Sequence, residues 1–309
     1  MTKEEYPVLL ATTETKRYRY RHKWYGYVMI LPAVILLFIF VVIPFVLALS
    51  KSFTDYYTFN RNVKFVGFEN YVRILQDRSF FKSLVNVVLM AFIFAISMLV
   101  LTFLFASVLK KLTPRLSSAA KIMIYIPHLL SGVIISIIFI FMFSRNGLIN
   151  AILVSRGRPR IVFSQDSFWP YFIIIVPLLW GGFGYHSIVM LAGMLNIPKS
   201  YYEAADMDGA SKFRQLFTIT IPCMKNYFVL SIISLITGGL QMFELPLMMT
   251  GGGPLEATLT PVLFIYFQKL NPSLGESVIL AGSILIMIPI MLINLVIFKL
   301  IRSEKSRDA

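Results

Sequence analysis

Six apolar stretches, each near the length needed to cross a lipid bilayer, constrain this chain more than any other feature. They lie at roughly 25 to 49, 84 to 109, 120 to 143, 168 to 195, 227 to 250 and 278 to 301. A hydrocarbon core about 30 Å thick takes about 20 helical residues. None shows the alternation of apolar and polar positions that a membrane-spanning barrel strand requires, so an all-α membrane protein is expected. The composition agrees. With 57% hydrophobic residues, 14% charged residues and 27 Phe, the chain cannot clothe itself in polar side chains.

All 29 Lys and Arg fall outside the apolar interiors, and their distribution gives a topology. Eighteen lie on one side: in the N-terminal tail, around Lys110 to Lys121, around Lys199 to Lys225, and in the C-terminal tail. By the positive-inside rule these segments face the cytoplasm, and both termini with them. Arg145, Arg156, Arg158 and Arg160 fall outside, against the trend. The organisation expected is a cytoplasmic tail over 1–24, a transmembrane domain over 25–301 and a second tail over 302–309. The high pI is then a topology signal. No nucleic-acid-binding motif accompanies it.

Chemistry of its own is not visible in the chain. There is no Gly-x-x-x-x-Gly-Lys-Ser/Thr loop to cradle nucleotide phosphates, no His-Glu-x-x-His pair and no Gly-x-Ser-x-Gly elbow. Cys223 stands alone, and His22, His128 and His186 are far apart, so no metal-binding or catalytic set is expected.

The longest late polar interruption, 199–222, looks built for a partner. Ser200-Tyr201-Tyr202-Glu203 has the form of a helix capping box. Gly209 stands where a left-handed residue would end that helix, and Ser211 can cap a second helix carrying Phe213, Leu216, Phe217 and Thr220 along one side. Asp206 and Asp208 make the first arm acidic, Lys212 and Arg214 make the second basic, and Pro222 breaks the chain before the fifth span. A merely solvated connection between spans is the competing reading.

Polar groups inside spans suggest a pathway. Ser234, Thr237, Gln241 and Glu244 occupy about 80° of a helix that turns about 100° per residue. An ionisable group at such depth faces a bundle interior or a watery cavity as a rule. Glu244 could accept hydrogen bonds from a ligand, make a helix–helix contact, or end a helix near the headgroups given Pro246. On the fourth span Trp180, Gly184, Ser187 and Leu191 share a face, with Trp180 offering a ring for stacking or for packing. His128 and Asn86 are further pathway candidates. Gly181, Gly182 and Gly184 suit close helix packing, and Pro127, Pro177 and Pro289 suggest kinks.

The spacing Glu203-Ala204-Ala205, three residues, Gly209, nine residues, Ile219-Thr220-Ile221-Pro222 closely resembles the signature of ABC importer permease subunits. Ile221 stands where Leu is common. The resemblance implies a six-helix, type I importer permease fold in which this elbow docks on a separate ATPase. Glu203, Ala204, Ala205, Asp206, Asp208, Gly209, Ile219 and Pro222 would be the coupling positions. Val66-Gly67-Phe68-Glu69-Asn70-Tyr71 resembles a segment of sugar permeases related to the maltose system. So does Thr250-Gly251-Gly252-Gly253-Pro254, where the family has a receptor-side loop, although a flexible turn would also suit three glycines. The segment 261 to 267 is too short to span and is expected to be interfacial or re-entrant.

What the resemblance implies is a non-enzymatic subunit of a binding-protein-dependent carbohydrate importer in a prokaryotic cytoplasmic membrane, with oligosaccharide the expected cargo. Its expected partners are a second, similar permease, two ATPases that hold ATP and Mg, an extracytoplasmic solute-binding protein, lipid and sugar, with no cofactor of its own and no nucleic acid. Two alternatives stay open. An anionic or phosphorylated sugar such as glycerol phosphate would suit the external arginines, and a stand-alone secondary transporter would suit Glu244.

Overall fold

The computed structural model describes residues 23–57, 62–163, 169–270 and 274–305. The tails expected over 1–24 and 302–309 lie largely outside these. Where described, residues 302–305 are helical and continue the last helix. Among the described residues every regular element is helical, apart from one isolated bridge between Thr54 and Phe65.

The first span, considered by itself, is α1 (Lys23–Leu37), a π turn (Phe38–Val42) and α2 (Ile43–Ser52). Its stretch Gly26–Ser52 is 27 residues long and strongly apolar. A helix apolar on every face suits a lipid environment.

The remaining chain begins with α3 (Glu69–Gln76) and the long α4 (Arg78–Leu109). Asp77 caps α4 by accepting from the Phe80 N–H at 2.9 Å. The Asn70-Tyr71 part of the sequence motif is a clamp. The Asn70 amide donates to the Ser52 and Thr54 carbonyls at 2.7 and 2.8 Å, and the Tyr71 hydroxyl pairs with that of Ser52 at 2.7 Å.

The third predicted span does not form one helix. It is α5 (Pro114–Tyr125), a 3₁₀ turn (Ile126–Leu129) and α6 (Gly132–Phe143), followed by α7 (Leu148–Ser155). Pro127 cannot donate to a helical ladder, Leu130 is extended, and Ser131 starts a fresh helix by accepting from the Ile134 N–H. The apolar stretch of spanning length is therefore Gly132–Ser155.

The fourth span, α8 (Trp169–Leu195), runs as expected and continues through Pro177. After α9 (Lys199–Met207), α10 (Lys212–Gln215), a π turn (Leu216–Thr220) and α11 (Ile221–Cys223), the chain bends by 67° at Met224 into α12 (Lys225–Leu240). The predicted fifth span over 227 to 250 is thus cut short. α12 ends at Gln241, the chain is non-helical at Met242 and Phe243, and a π turn follows at Pro246–Thr250. The short α13 (Pro261–Leu270) packs on α4 and α14 (Glu276–Lys305), and α14 is continuous through Pro289.

The core sits where α4, α8 and α12 meet, around Val87, Met90, Ala91, Ile174 and Leu240. Glycine sets the closeness of these contacts. A side chain on Gly184 would collide with the Ile124 backbone, and one on Gly239 would meet Ala91 at 2.8 Å. The helical core stops there in the middle of what should be a span, which leaves polar groups of several elements around an open space.

Candidate functional site: an elbow and an open cavity

The elbow is built from local rules. Gly209 adopts φ +71°, and its N–H and that of Ala210 donate to the Asp206 and Ala205 carbonyls at 3.1 and 2.9 Å. Both Schellman bonds are present, so the left-handed residue ends α9 where the spacing predicts. Ser211 caps α10 by accepting from the Arg214 N–H. The capping box at Ser200 does not form. Pro198 already fixes an extended entry, so α9 begins at Lys199, without a side-chain cap.

The two arms are tied across the turn. Lys212 Nζ lies 2.7 Å from Asp206 Oδ1, and Gln215, nearly fully buried, donates both to Asp206 and, at 3.0 Å, to the Ala210 carbonyl. The hydrogen bonds from Lys212 and then Gln215 hold the Asp206 carboxyl below the usual carboxylate range.

The base of the elbow is keyed to the ends of α4 and α8. The Tyr202 hydroxyl meets that of Thr220 at 2.9 Å. Lys110 donates to the Met194 carbonyl at 3.2 Å while its ammonium lies 4.8 Å from the centre of the Tyr202 ring. Ile219 packs with Tyr202 against Met190, Met194, Ile197 and Met224. The opposite surface is open. Glu203, Ala204, Asp206, Asp208 and Gly209 are exposed, together with Met207 at 89% and Phe213 at 72%. These apolar groups stand beside the acidic side chains on the same outer face. Pro222 is exposed on the short α11, next to the bend.

The break after α12 frames a cavity of about 510 Å³. Ser234, Gly238, Gln241 and Glu244 line it, opposite His128, Gly132 and His186. Helical periodicity beyond Leu240 does not apply, yet Gln241 and Glu244 still face the same space because the non-helical Met242 and Phe243 turn the chain back. The Glu244 carboxylate rests directly against Gly132, the first residue of α6, where any side chain would displace it. His128 Nδ1 lies 3.2 Å from the Gly181 carbonyl, and its ring stacks on Tyr185 at 5.1 Å.

Other predicted pathway residues sit elsewhere. Thr237 hydrogen-bonds Asn294 of α14 at 3.1 Å. Trp180 packs edge-on against Phe139 at 5.6 Å, and Ser187 is fully buried outside the cavity lining. Asn86 donates to the carbonyls of Glu256 and Leu259 at 2.6 and 3.2 Å, so it pins the glycine-rich loop to α4. His186, which carried no role in the sequence, lines the cavity instead. Its face becomes visible only once the break in the neighbouring chain is known.

The loop itself, Gly251 to Thr258, is held in a fixed shape. Gly251 and Gly252 take φ of +59° and +86°, and Leu255 and Glu256 are also left-handed. Thr258 donates to the Gly253 carbonyl at 2.7 Å, Ser79 donates to Glu256 at 2.6 Å, and Leu255 protrudes at 90% exposure. The loop therefore has defined partners on α4 and within itself. Among the described residues no group of three His, Cys, Asp or Glu side chains could hold a metal.

Residues 114–304 match the family described as binding-protein-dependent transport system inner membrane component. Over 204 residues the chain is 33% identical to the sulfoquinovosyl glycerol transport system permease protein SmoG of Agrobacterium fabrum, covering 66% of each, just under two thirds of that relative. It is 32% identical over 235 residues to the lactose transport system permease protein LacF of Rhizobium radiobacter, covering 74% of this chain and 79% of that one. With the sn-glycerol-3-phosphate transport system permease protein UgpA of Yersinia pestis it shares 29% over 230 residues, 72% and 77% of the two chains. Among solved structures, a bacterial ABC transporter that imports the acidic polysaccharide alginate superposes with a TM-score of 0.79 at 22% identity, covering 92% and 97%. At that identity the likeness shows the fold.

Proposed function

This chain belongs to the binding-protein-dependent transport system inner membrane components, and from that premise we propose that it is one permease subunit of an ATP-driven sugar importer. The observation that carries the reading is the elbow: a turn tied at its base to two spans, whose outer face presents Glu203, Ala204, Met207 and Asp208 to the outside, beside a Phe213 that is 72% exposed and packs at a tilt on Phe217, with 4.9 Å between ring centres. Such a face suits docking on a separate ATPase. A rigid body wedged between an ATPase and the ends of α4 and α8 passes motion on without deforming.

The open cavity supplies half of a pathway, and a second, similar permease would supply the other half. The fixed loop around Leu255 would meet an extracytoplasmic solute-binding protein on the opposite side. Closure of two ATPases on ATP would move the elbow and open the cavity to the receptor; hydrolysis would reset it. In this reading both termini and the elbow are cytoplasmic, and ATP and Mg are held by the partners. Relatives for lactose and sulfoquinovosyl glycerol support a saccharide as cargo.

Replacing Met207 by Glu tests the docking directly. Its side chain touches solvent alone, so folding should persist, while co-purification of the ATPase with the membrane subunits should fall at least about tenfold, the loss of a buried contact of about 1.4 kcal/mol or more. Undiminished co-purification would exclude this face as the dock.

A further inference from the structure

We propose that the cavity between α6, α8 and α12 is a substrate subsite in which the Glu244 carboxylate selects uncharged saccharides and rejects anionic ones. The inference rests on the importer reading and deepens it. It departs from the anionic cargo that the four external arginines suggest and that the sn-glycerol-3-phosphate relative is named for.

The electrostatic character of the cavity follows from its walls. Among the described residues Glu244 is the one carboxylate lining it, and no Lys or Arg lines it. Arg145, Arg156, Arg158 and Arg160 are absent from the walls, and Arg160 is engaged with Asn146 at 3.0 Å. The carboxylate has a seat of its own. It rests on Gly132 at the start of the 12-residue α6, where the helix dipole favours negative charge, and a residue larger than glycine there would push it away. A phosphate or uronate entering this space would meet the Glu244 carboxylate with no Lys or Arg on the described walls to offset it.

A second, independent observation points to a ligand. His186 is 94% buried by virtue of its 6% exposure, lines the cavity, and its Nδ1 has no hydrogen-bond partner. Buried polar atoms are nearly always paired, so this orphan leaves the His186 ring, on the cavity wall, with a hydrogen bond still to make. Gln241 and Ser234 add an amide and a hydroxyl, and both are open to the cavity. Phe94, Leu178 and Phe243 supply apolar wall for the C–H faces of a sugar ring.

Gly238 offers a clean reporter. A Cβ added there meets nothing within 4 Å, and the residue lines the cavity. The full chain, assembled with its partner subunits, would carry Gly238→Cys with the single native cysteine removed as Cys223→Ser. Modification rates are measured with a cationic trimethylammonioethyl and an anionic sulfonatoethyl methanethiosulfonate, each normalised to a free thiol. The cation is expected to react about tenfold faster. Glu244→Gln should bring the ratio to near one, whereas Glu244→Asp should keep it. Lactose should slow the reaction and glucuronate should not. An unreactive cysteine, a ratio near one in the parent, or equal protection by glucuronate would each overturn the proposal. Persistence of ATP-dependent, receptor-dependent uptake alongside any of these results would leave the importer reading standing; loss of that uptake in the unmodified assembly would bring down the importer reading instead.

Discussion

Single residues carry the most local and most easily tested parts of the account. Gly209 has φ +71° and donates its N–H to Asp206. Proline permits neither, since its ring fixes φ near −65° and removes the donor. Gly209→Pro should therefore reduce ATP-driven uptake more than tenfold while the protein still inserts in the membrane at normal amounts, which immunoblotting of washed membranes would check. Asp206 gives a pH signature. Its carboxyl is held below the usual range by Lys212 and Gln215, so the tie between the arms is present at and above the ordinary Asp value of about 3.9 and is lost as pH falls through the lowered folded value. Amide exchange in the elbow, corrected for its intrinsic pH dependence, should stay slow down to about pH 4. In Asp206→Asn it should be faster at all pH values. Gly184 is the packing counterpart. Gly184→Ala would drive a methyl into the Ile124 backbone, and overpacking of this kind costs about 1–3 kcal/mol, seen as a lower melting temperature in detergent.

Between elements, the sequence was a good guide where one residue decides a local geometry. It was a poor one where a span is interrupted. Gly209 and Ser211 end and start helices where their spacing predicts, because each acts through its own backbone or a neighbour three residues away. Hydropathy misplaces the bounds of the third and fifth spans because it does not register a lost hydrogen-bond ladder. Residues 120 to 143 are mostly apolar, yet Pro127 divides them; 227 to 250 are mostly apolar too, yet α12 stops at Leu240 with Gln241 as its cap. That same ending explains the cavity. Thr237 belongs to the regular helix and so faces α14, while Gln241 and Glu244 follow the break and are turned toward His128 and His186. Asn86 was equally opaque, since its partners Glu256 and Leu259 are about 170 residues distant. The Thr237–Asn294 bond crosses between two membrane helices, and such bonds average about 0.6 kcal/mol. A double-mutant cycle with Thr237→Val and Asn294→Leu should return a coupling near that size. A value of zero would mean the two helices do not meet there.

For the whole molecule, the elbow, the cavity and the loop around Leu255 divide three tasks along one chain. In the proposed importer the elbow would receive motion, the broken α12 would provide a polar opening, and the glycine-rich loop held by Asn86 would present a surface to the receptor. No one of these makes a transporter, and the chain holds no phosphate-binding loop with which to power itself. The central claim is therefore dependence on others. The direct measurement is radiolabelled sugar uptake into proteoliposomes containing this chain alone, and containing it with its second permease, ATPases and solute-binding protein. Uptake is predicted only in the complete assembly with ATP inside the correct compartment, and it should vanish with Gly209→Pro. Gradient-driven uptake by the chain alone, unaffected by ATP, would contradict the account.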